Sequence, residues 1–286
     1  MGKKADMSRR VVLLPTMDQP HANGMWLQLY ERWQNEVDKL YVHVNDYTHG
    51  VALKYMLDKW VYRDDIVMLI ENDGIVFKPG IVDKYFKIIE DGKADIVGSP
   101  RMSCHPEIAE AAKKKWNLDY EGFGDKGPNL WPNMFFIKAK HLFDTDMHFH
   151  AKGWKKGDKI KELDHVVEND NIMGDTLVWT CIQLRAEGLK IHEIPQYHAS
   201  PYDIENAEKK EGIFDGKCPY FHFGSLTGDF TVPQDDISSR ELERRAAWLD
   251  LCGQNMSSVV KGYQLNEDRF EQLKIIYKDL LYARIH

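Results

Sequence analysis

Short unbroken apolar runs alternate with longer stretches of helical period through the first hundred residues. Val11-Val12-Leu13-Leu14 is apolar throughout and reads as a strand buried on both faces, stopped by Pro15. A polar loop follows from Thr16 to Gly24. Trp26, Leu29, Tyr30, Trp33, Val37 and Leu40 then recur at helical spacing. Leu40–Val44 is the next strand and ends in Asn45-Asp46. Ala52, Leu53, Met56, Leu57 and Trp60 mark a second helix. Ile66–Ile70 is a third strand, and Val82, Tyr85, Phe86 and Ile89 mark a third helix. Ala94–Gly98 is a fourth strand. The order β-α-β-α-β-α-β predicts a parallel sheet with helices on both faces.

The rhythm loosens afterwards. His105 to Trp116 reads as a helix with Pro106 in its first turn. Tyr120 to Pro132 has the composition of a loop, and Met134–Ile137 that of a buried strand. His141 to Asn171 is charged and polar, and long for a structureless loop, which marks it as functional or mobile. Gly174-Asp175 opens a helix through Leu184 that closes at Gly188. Lys190–Ile194 is a short strand. Tyr220–Ser225 is an aromatic cluster carrying His222. Beyond Pro233 only helical patterns remain: a capping box at Ser238–Glu241, and a final stripe through Phe270, Leu273, Tyr277, Leu280 and Leu281. The predicted organisation is a disordered tail over 1–10, an α/β domain over 11–232 and a C-terminal helical extension over 233–286. Within the α/β domain, 11–100 forms a regularly alternating half and 101–232 a looser one.

Composition narrows the picture modestly. The 286 residues are 43% hydrophobic and 29% charged, ordinary for a globular chain able to bury a sizeable core. A net charge of −7 argues against a non-specific nucleic-acid binder, although Lys113–Lys115 and the lysines of 152–161 form local basic runs. The four cysteines are scattered and form no CxxC pair, which fits free thiols in a reducing compartment. No apolar run is long enough to cross a bilayer, and the first ten residues lack a signal peptide's apolar segment. The sequence therefore predicts a cytoplasmic protein.

Candidate chemistry gathers at the end of the third strand, in Ile70-Glu71-Asn72-Asp73-Gly74. Glu71 and Asp73 share one side of the strand's extension, because side chains alternate with period 2. Two carboxylates so placed repel each other, and a hard divalent cation would relieve that. In parallel α/β sheets ligands bind beyond the carboxyl ends of the strands, where Asp46, Glu71 and Asp73 all fall. The ordinary alternative is a solvated loop.

The segment Ile70–Gly80 resembles the apolar strand, D-x-D motif and Pro-Gly of GT-A nucleotide-sugar glycosyltransferases, most loosely the broad family 2 group, with Glu in place of the first Asp. Gly174-Asp175-Thr176-Leu177 with Leu184–Ile191 is similar to that class's acidic residue, helix and R-x-x-G segment. The resemblance spans roughly residues 11 to 225. It implies a GT-A-like, mostly parallel Rossmann-type sheet and a metal-dependent transfer of a sugar from a nucleotide-diphospho-sugar, UDP-linked by preference, to an acceptor hydroxyl. It further implies Mn2+ or Mg2+ held by Asp73 and Glu71, with His222 as third ligand and His198 as a weaker competitor. Imidazole favours Mn2+. Asp46, Asn72 and Pro15 fall on the nucleotide's side. Asp175 matches the base of inverting members, although an Asp there also serves as a helix cap. Arg101 and Trp131 are substrate-binding candidates, against the ordinary roles of a surface Arg and a packed aromatic.

The acceptor is left open among a glycan, a protein, a lipid head group and a modified DNA base, the last disfavoured by net charge. The C-terminal helices either pack on the sheet or join copies of the chain. Two rival functions are carried alongside. A sugar-phosphate nucleotidylyltransferase would want a Gly-rich loop directly after the first strand, and Pro15-Thr16-Met17-Asp18 is not one. A non-catalytic nucleotide- or sugar-binding module of the same fold would bind donor without turnover.

Overall fold

The computed structural model describes residues 8–44, 49–72, 74–76, 79–101, 104–118, 129–130, 132–146, 149, 152–194, 220–222 and 239–282. In chain order the strands are β1 (Arg10–Thr16), β2 (Lys39–Val44), β3 (Ile66–Leu69), β4 (Gly74–Val76), β5 (Ile96–Gly98), β6 (Pro100–Arg101) and β7 (Asn129–Leu130). They continue as β8 (Phe135–Lys138), β9 (Lys152–Trp154), β10 (Lys159–Ile160), β11 (His165–Val166), β12 (Ile172–Gly174), β13 (Ile191–Glu193) and β14 (Tyr220–His222). The first five α-helices are α1 (Pro20–Tyr30), α2 (His49–Trp60), α3 (Ile81–Glu90), α4 (Pro106–Trp116) and α5 (Ala139–Phe143). The rest are α6 (Val178–Ala186), α7 (Ser239–Leu251), α8 (Ser257–Gly262) and α9 (Glu267–Tyr282). The chain forms two compact units. The first is built from Met1–Thr16, Asn35–Glu71 and Gly80–Gln196, the second from Met17–Gln34, Asn72–Pro79 and Tyr197–His286.

The first unit holds a six-stranded sheet in the order β13-β5-β8-β3-β1-β2. Strands β1, β2 and β3 pair in parallel, as do β5 and β13, while β8 runs antiparallel between β3 and β5. The sheet is therefore mostly parallel, with one reversed strand. Val11, Leu13, Val67, Leu69, Phe135 and Ile137 form one apolar face, covered by Leu53, Met56 and Leu57 of α2 and by Cys181 and Leu184 of α6. Helix α3 packs against β5 and β8, where the ring of Phe86 meets Phe136 edge-on at 5.1 Å. Burial on both faces explains why the strands read as continuous apolar runs.

Pro15 does not end the first strand. β1 continues to Thr16, with Pro15 opposite His43 of β2. The Leu13 carbonyl accepts from the Ile70 amide on the β3 side, at 3.2 Å. By strand alternation the missing N–H of Pro15 faces that same side, and the ladder with β3 ends there while the pairing with β2 continues.

Charged groups tie the sheet's amino edge together. Arg9 and Arg10, which the sequence alone assigns to a tail, are anchored there. Arg9 donates to both oxygens of the buried Asp65, at 2.9 and 2.5 Å. Arg10 reaches Asp83 at 2.8 Å and Glu90 at 2.7 Å on α3. The Glu36 carboxylate accepts from the Gly80 and Asp83 amides at 2.5 and 2.8 Å, filling the amino end of α3 with negative charge where the helix dipole favours it.

The polar stretch after His141 has a structure of its own. β9 pairs with β12 and β10 with β11, both antiparallel. Trp154, Ile160, Leu163 and Val167 are buried in a cluster with Ile108 and Ala112 of α4 and Val178 and Ile182 of α6.

In the second unit, α7, α8 and α9 supply Leu242, Trp248, Val260, Phe270, Leu273 and Tyr277 to one core, which Ala22 and Leu29 of α1 complete. The helical C-terminus is thus as expected, although Ser238 of the capping box lies outside the described residues. Strand β4 pairs antiparallel with β14. No helix among the described residues is long and apolar enough to cross a membrane. Cys104, Cys181 and Cys252 are free thiols.

Candidate functional site

The carboxyl edge of the parallel strands is polar in the first unit. Buried Thr16 ends β1, Glu71 follows β3 by two residues, and buried Ser99 follows β5. The Glu71 carboxylate stands 3.2 Å from Nδ1 of His49, the first residue of α2, and both side chains are part-exposed. β8 enters from this same edge, because Phe135 pairs with Leu69. Asn133, just before β8, is fully buried, and neither polar atom of its amide has a hydrogen-bond partner among the described residues.

The second unit holds the motif's other half. The Asn72 side-chain amide donates to Oδ1 of Asn23 at 3.0 Å. The Gly74 carbonyl accepts from the Trp26 indole at 3.2 Å. Gly74 also pairs with His222 in the β4–β14 ladder, with Ile75 opposite Phe221 and Val76 opposite Tyr220. The backbone therefore sets His222 beside the residue that follows Asp73 in the chain. Strand β14 was foreseeable as an aromatic cluster. Its partner β4, three residues long directly after the acidic motif, was not.

Asp175 lies in the first unit, one residue beyond β12. Its side chain is exposed and accepts from the Thr176 amide at 2.7 Å. It does not cap α6. That helix begins at Val178 after Leu177, whose φ of 67° is left-handed. The expectation that Asp175 opens the helix is therefore corrected, because a left-handed residue separates the carboxylate from the first helical turn.

The remaining candidates divide as follows. Pro15 is buried within β1. Asn72 is buried, and its side-chain nitrogen donates to Asn23. Arg101 pairs with Asn129 in the short β6–β7 ladder. Asp46, Asp73, Trp131 and His198 lie outside the described residues. His165 faces Glu107 at 2.7 Å, which gives it a structural partner. Among the described residues there is no group of three or more His, Cys, Asp and Glu arranged to hold a metal ion. In the sequence Asn23 falls in a loop stretch and Trp26 in an apolar stripe, and neither points to the acidic motif. They sit in α1, carry no motif, and are identified by their contacts alone.

No family model matches the chain, and no curated protein matches it in sequence. Among solved structures it is similar to a mannosyltransferase, PcManGT from Pyrobaculum calidifontis, in complex with GDP-Man and Mn2+. The TM-score is 0.42 and the sequence identity 11%, over 98% of this chain and 87% of that chain. A likeness of that degree carries no argument about chemistry, so this chain's own residues must supply one.

Proposed function

We propose that the chain is a glycosyltransferase that moves a sugar from a nucleotide-diphospho-sugar, UDP-linked by preference, to an acceptor hydroxyl. The observation that carries this reading is the β4–β14 pair, which brings the backbone of His222 beside Gly74, next in sequence to Asp73. A carboxylate and an imidazole make a donor set suited to Mn2+, and Asp73 and His222 are the proposed ligands. When bound, the ion neutralises charge on the departing nucleoside diphosphate.

The chain's own groups take the other roles. Glu71 is proposed on the nucleotide's side, as an acceptor for ribose hydroxyls, with His49 beside its carboxylate. Asp46, two residues after β2 in the chain, is proposed to meet the nucleoside. Asp175 is exposed and, among the described residues, accepts one local hydrogen bond, and its carboxylate is the proposed acceptor of a hydroxyl proton. Arg101 and Trp131 are proposed on the acceptor's side.

A thermal-shift screen of nucleotide sugars with and without Mn2+ tests the reading, since a ligand that binds only the folded chain raises its apparent stability by mass action. A rise in melting temperature with one nucleotide sugar, larger when Mn2+ is present, is expected. A flat response across UDP-, GDP-, ADP- and dTDP-linked sugars would overturn it.

A further inference from the structure

We propose that α1 is a positioning element for Asp73, acting through Asn23 and Trp26. The inference rests on the reading of Asp73 as a metal ligand and names the residues that hold it in place. Asn23 and Trp26 are three residues apart on α1, so they share one helix face. They reach the two residues that flank Asp73. Asn23 Oδ1 accepts from the Asn72 side chain at 3.0 Å, and the Trp26 indole donates to the Gly74 carbonyl at 3.2 Å.

Each bond is oriented from behind. The Asn23 side-chain nitrogen donates to the Met17 carbonyl at 3.1 Å, which turns its oxygen toward Asn72. Trp26 is buried, stacked on Tyr30 at 5.5 Å and set edge-on to Trp33 at 6.1 Å. An indole held in such a cluster has little rotational freedom, and its buried N–H needs an acceptor. Gly74 is fixed in addition by its pairing with His222. The two chain neighbours of Asp73, Asn72 and Gly74, are thereby each bonded to α1, and Gly74 pairs as well with His222 of β14. Groups that fix the geometry around a metal ligand commonly alter metal affinity by about 10- to 100-fold when removed.

The experiment measures Mn2+ affinity of the full chain by the loss of the free-ion EPR signal, for the wild type, Asp73→Ala, Trp26→Phe and Asn23→Ala. Melting temperatures of the metal-free proteins are taken alongside. Trp26→Phe keeps an aromatic ring while removing the donor along with part of the indole's bulk. Asn23→Ala reports independently should Trp26→Phe fail to fold. The expected result is wild-type binding abolished by Asp73→Ala and weakened about 10-fold or more in the folded α1 variants. If Asp73→Ala abolishes binding while folded Trp26→Phe and Asn23→Ala bind as the wild type does, α1 is merely structural; the inference falls and the metal reading stands. If the wild type binds no Mn2+, or Asp73→Ala binds equally well, the metal reading itself falls and the inference with it.

Discussion

The carbonyl of Asp175 accepts a hydrogen bond from the Val178 amide at 3.1 Å, with Leu177 between them at a φ of 67°. The chain thus turns once before α6 begins, and the Asp175 carboxylate is left exposed and accepts from its neighbour's amide. A capping role and a catalytic role are separable here. Asp175→Asn keeps an oxygen for the Thr176 amide and should change stability by no more than about 0.5 kcal/mol, as surface substitutions do. Loss of a general base should lower turnover by about 100-fold or more with donor affinity kept. Chemical denaturation and steady-state kinetics check the two halves. Unchanged turnover would remove Asp175 from the chemistry.

Gly174, one residue earlier, is required for packing. A Cβ there would meet Val178 Cγ1 at 2.9 Å and the Trp154 ring at 3.0 Å. Both neighbours are buried in the cluster joining α4, α6 and the small hairpins, so they yield poorly. Gly174→Ala should cost about 1–3 kcal/mol by overpacking, read from the denaturation midpoint. Turnover of the folded fraction should fall as well, because Asp175 follows directly.

These two residues show what the pattern of the chain carries and what it hides. Apolar runs at Val11–Leu14 and Ile66–Ile70 are legible because both faces of the sheet are covered, and the helices of the C-terminal region are legible from their stripes. The direction of β8 is not. A fully buried run such as Phe135–Ile137 has the same composition whether it runs up or down the sheet. The start of α6 is misjudged because nothing in Gly174-Asp175-Thr176-Leu177 announces a left-handed leucine. The acidic motif stands out in the sequence as a candidate for chemistry. Its support is hidden, since β14 and α1 reach Asn72 and Gly74 through a three-residue ladder and two side-chain bonds between segments distant in sequence.

Glu107 ties the amino end of α4 to the loop after β11. Its carboxylate accepts from the Glu168 amide at 2.7 Å and from the Asn169 amide and side chain at 3.1 and 2.7 Å, and faces His165 at 2.7 Å. Burial alone would push its pKa up from 4.5, but the hydrogen bonds from Glu168, His165 and Asn169 outweigh that and hold it down at about 2. The folded value lies below the unfolded one. The stabilisation is therefore complete above about pH 4.5 and is lost as pH falls toward 2. Stability measured across that interval should fall more steeply for the wild type than for Glu107→Gln. Parallel curves would contradict the assignment.

The central claim is transfer chemistry at Asp73, and release of free nucleoside diphosphate tests it most directly. A panel of nucleotide sugars is incubated with the full chain and Mn2+, and the products are separated by ion-exchange chromatography. The account predicts slow release of diphosphate from one nucleotide class, dependent on Mn2+, abolished by Asp73→Ala, and accelerated when a suitable acceptor is added. Donor that binds but is never split, with or without glycan, protein, lipid and modified-DNA acceptors, would contradict it and leave a binding module. Splitting that survives Asp73→Ala would contradict the site.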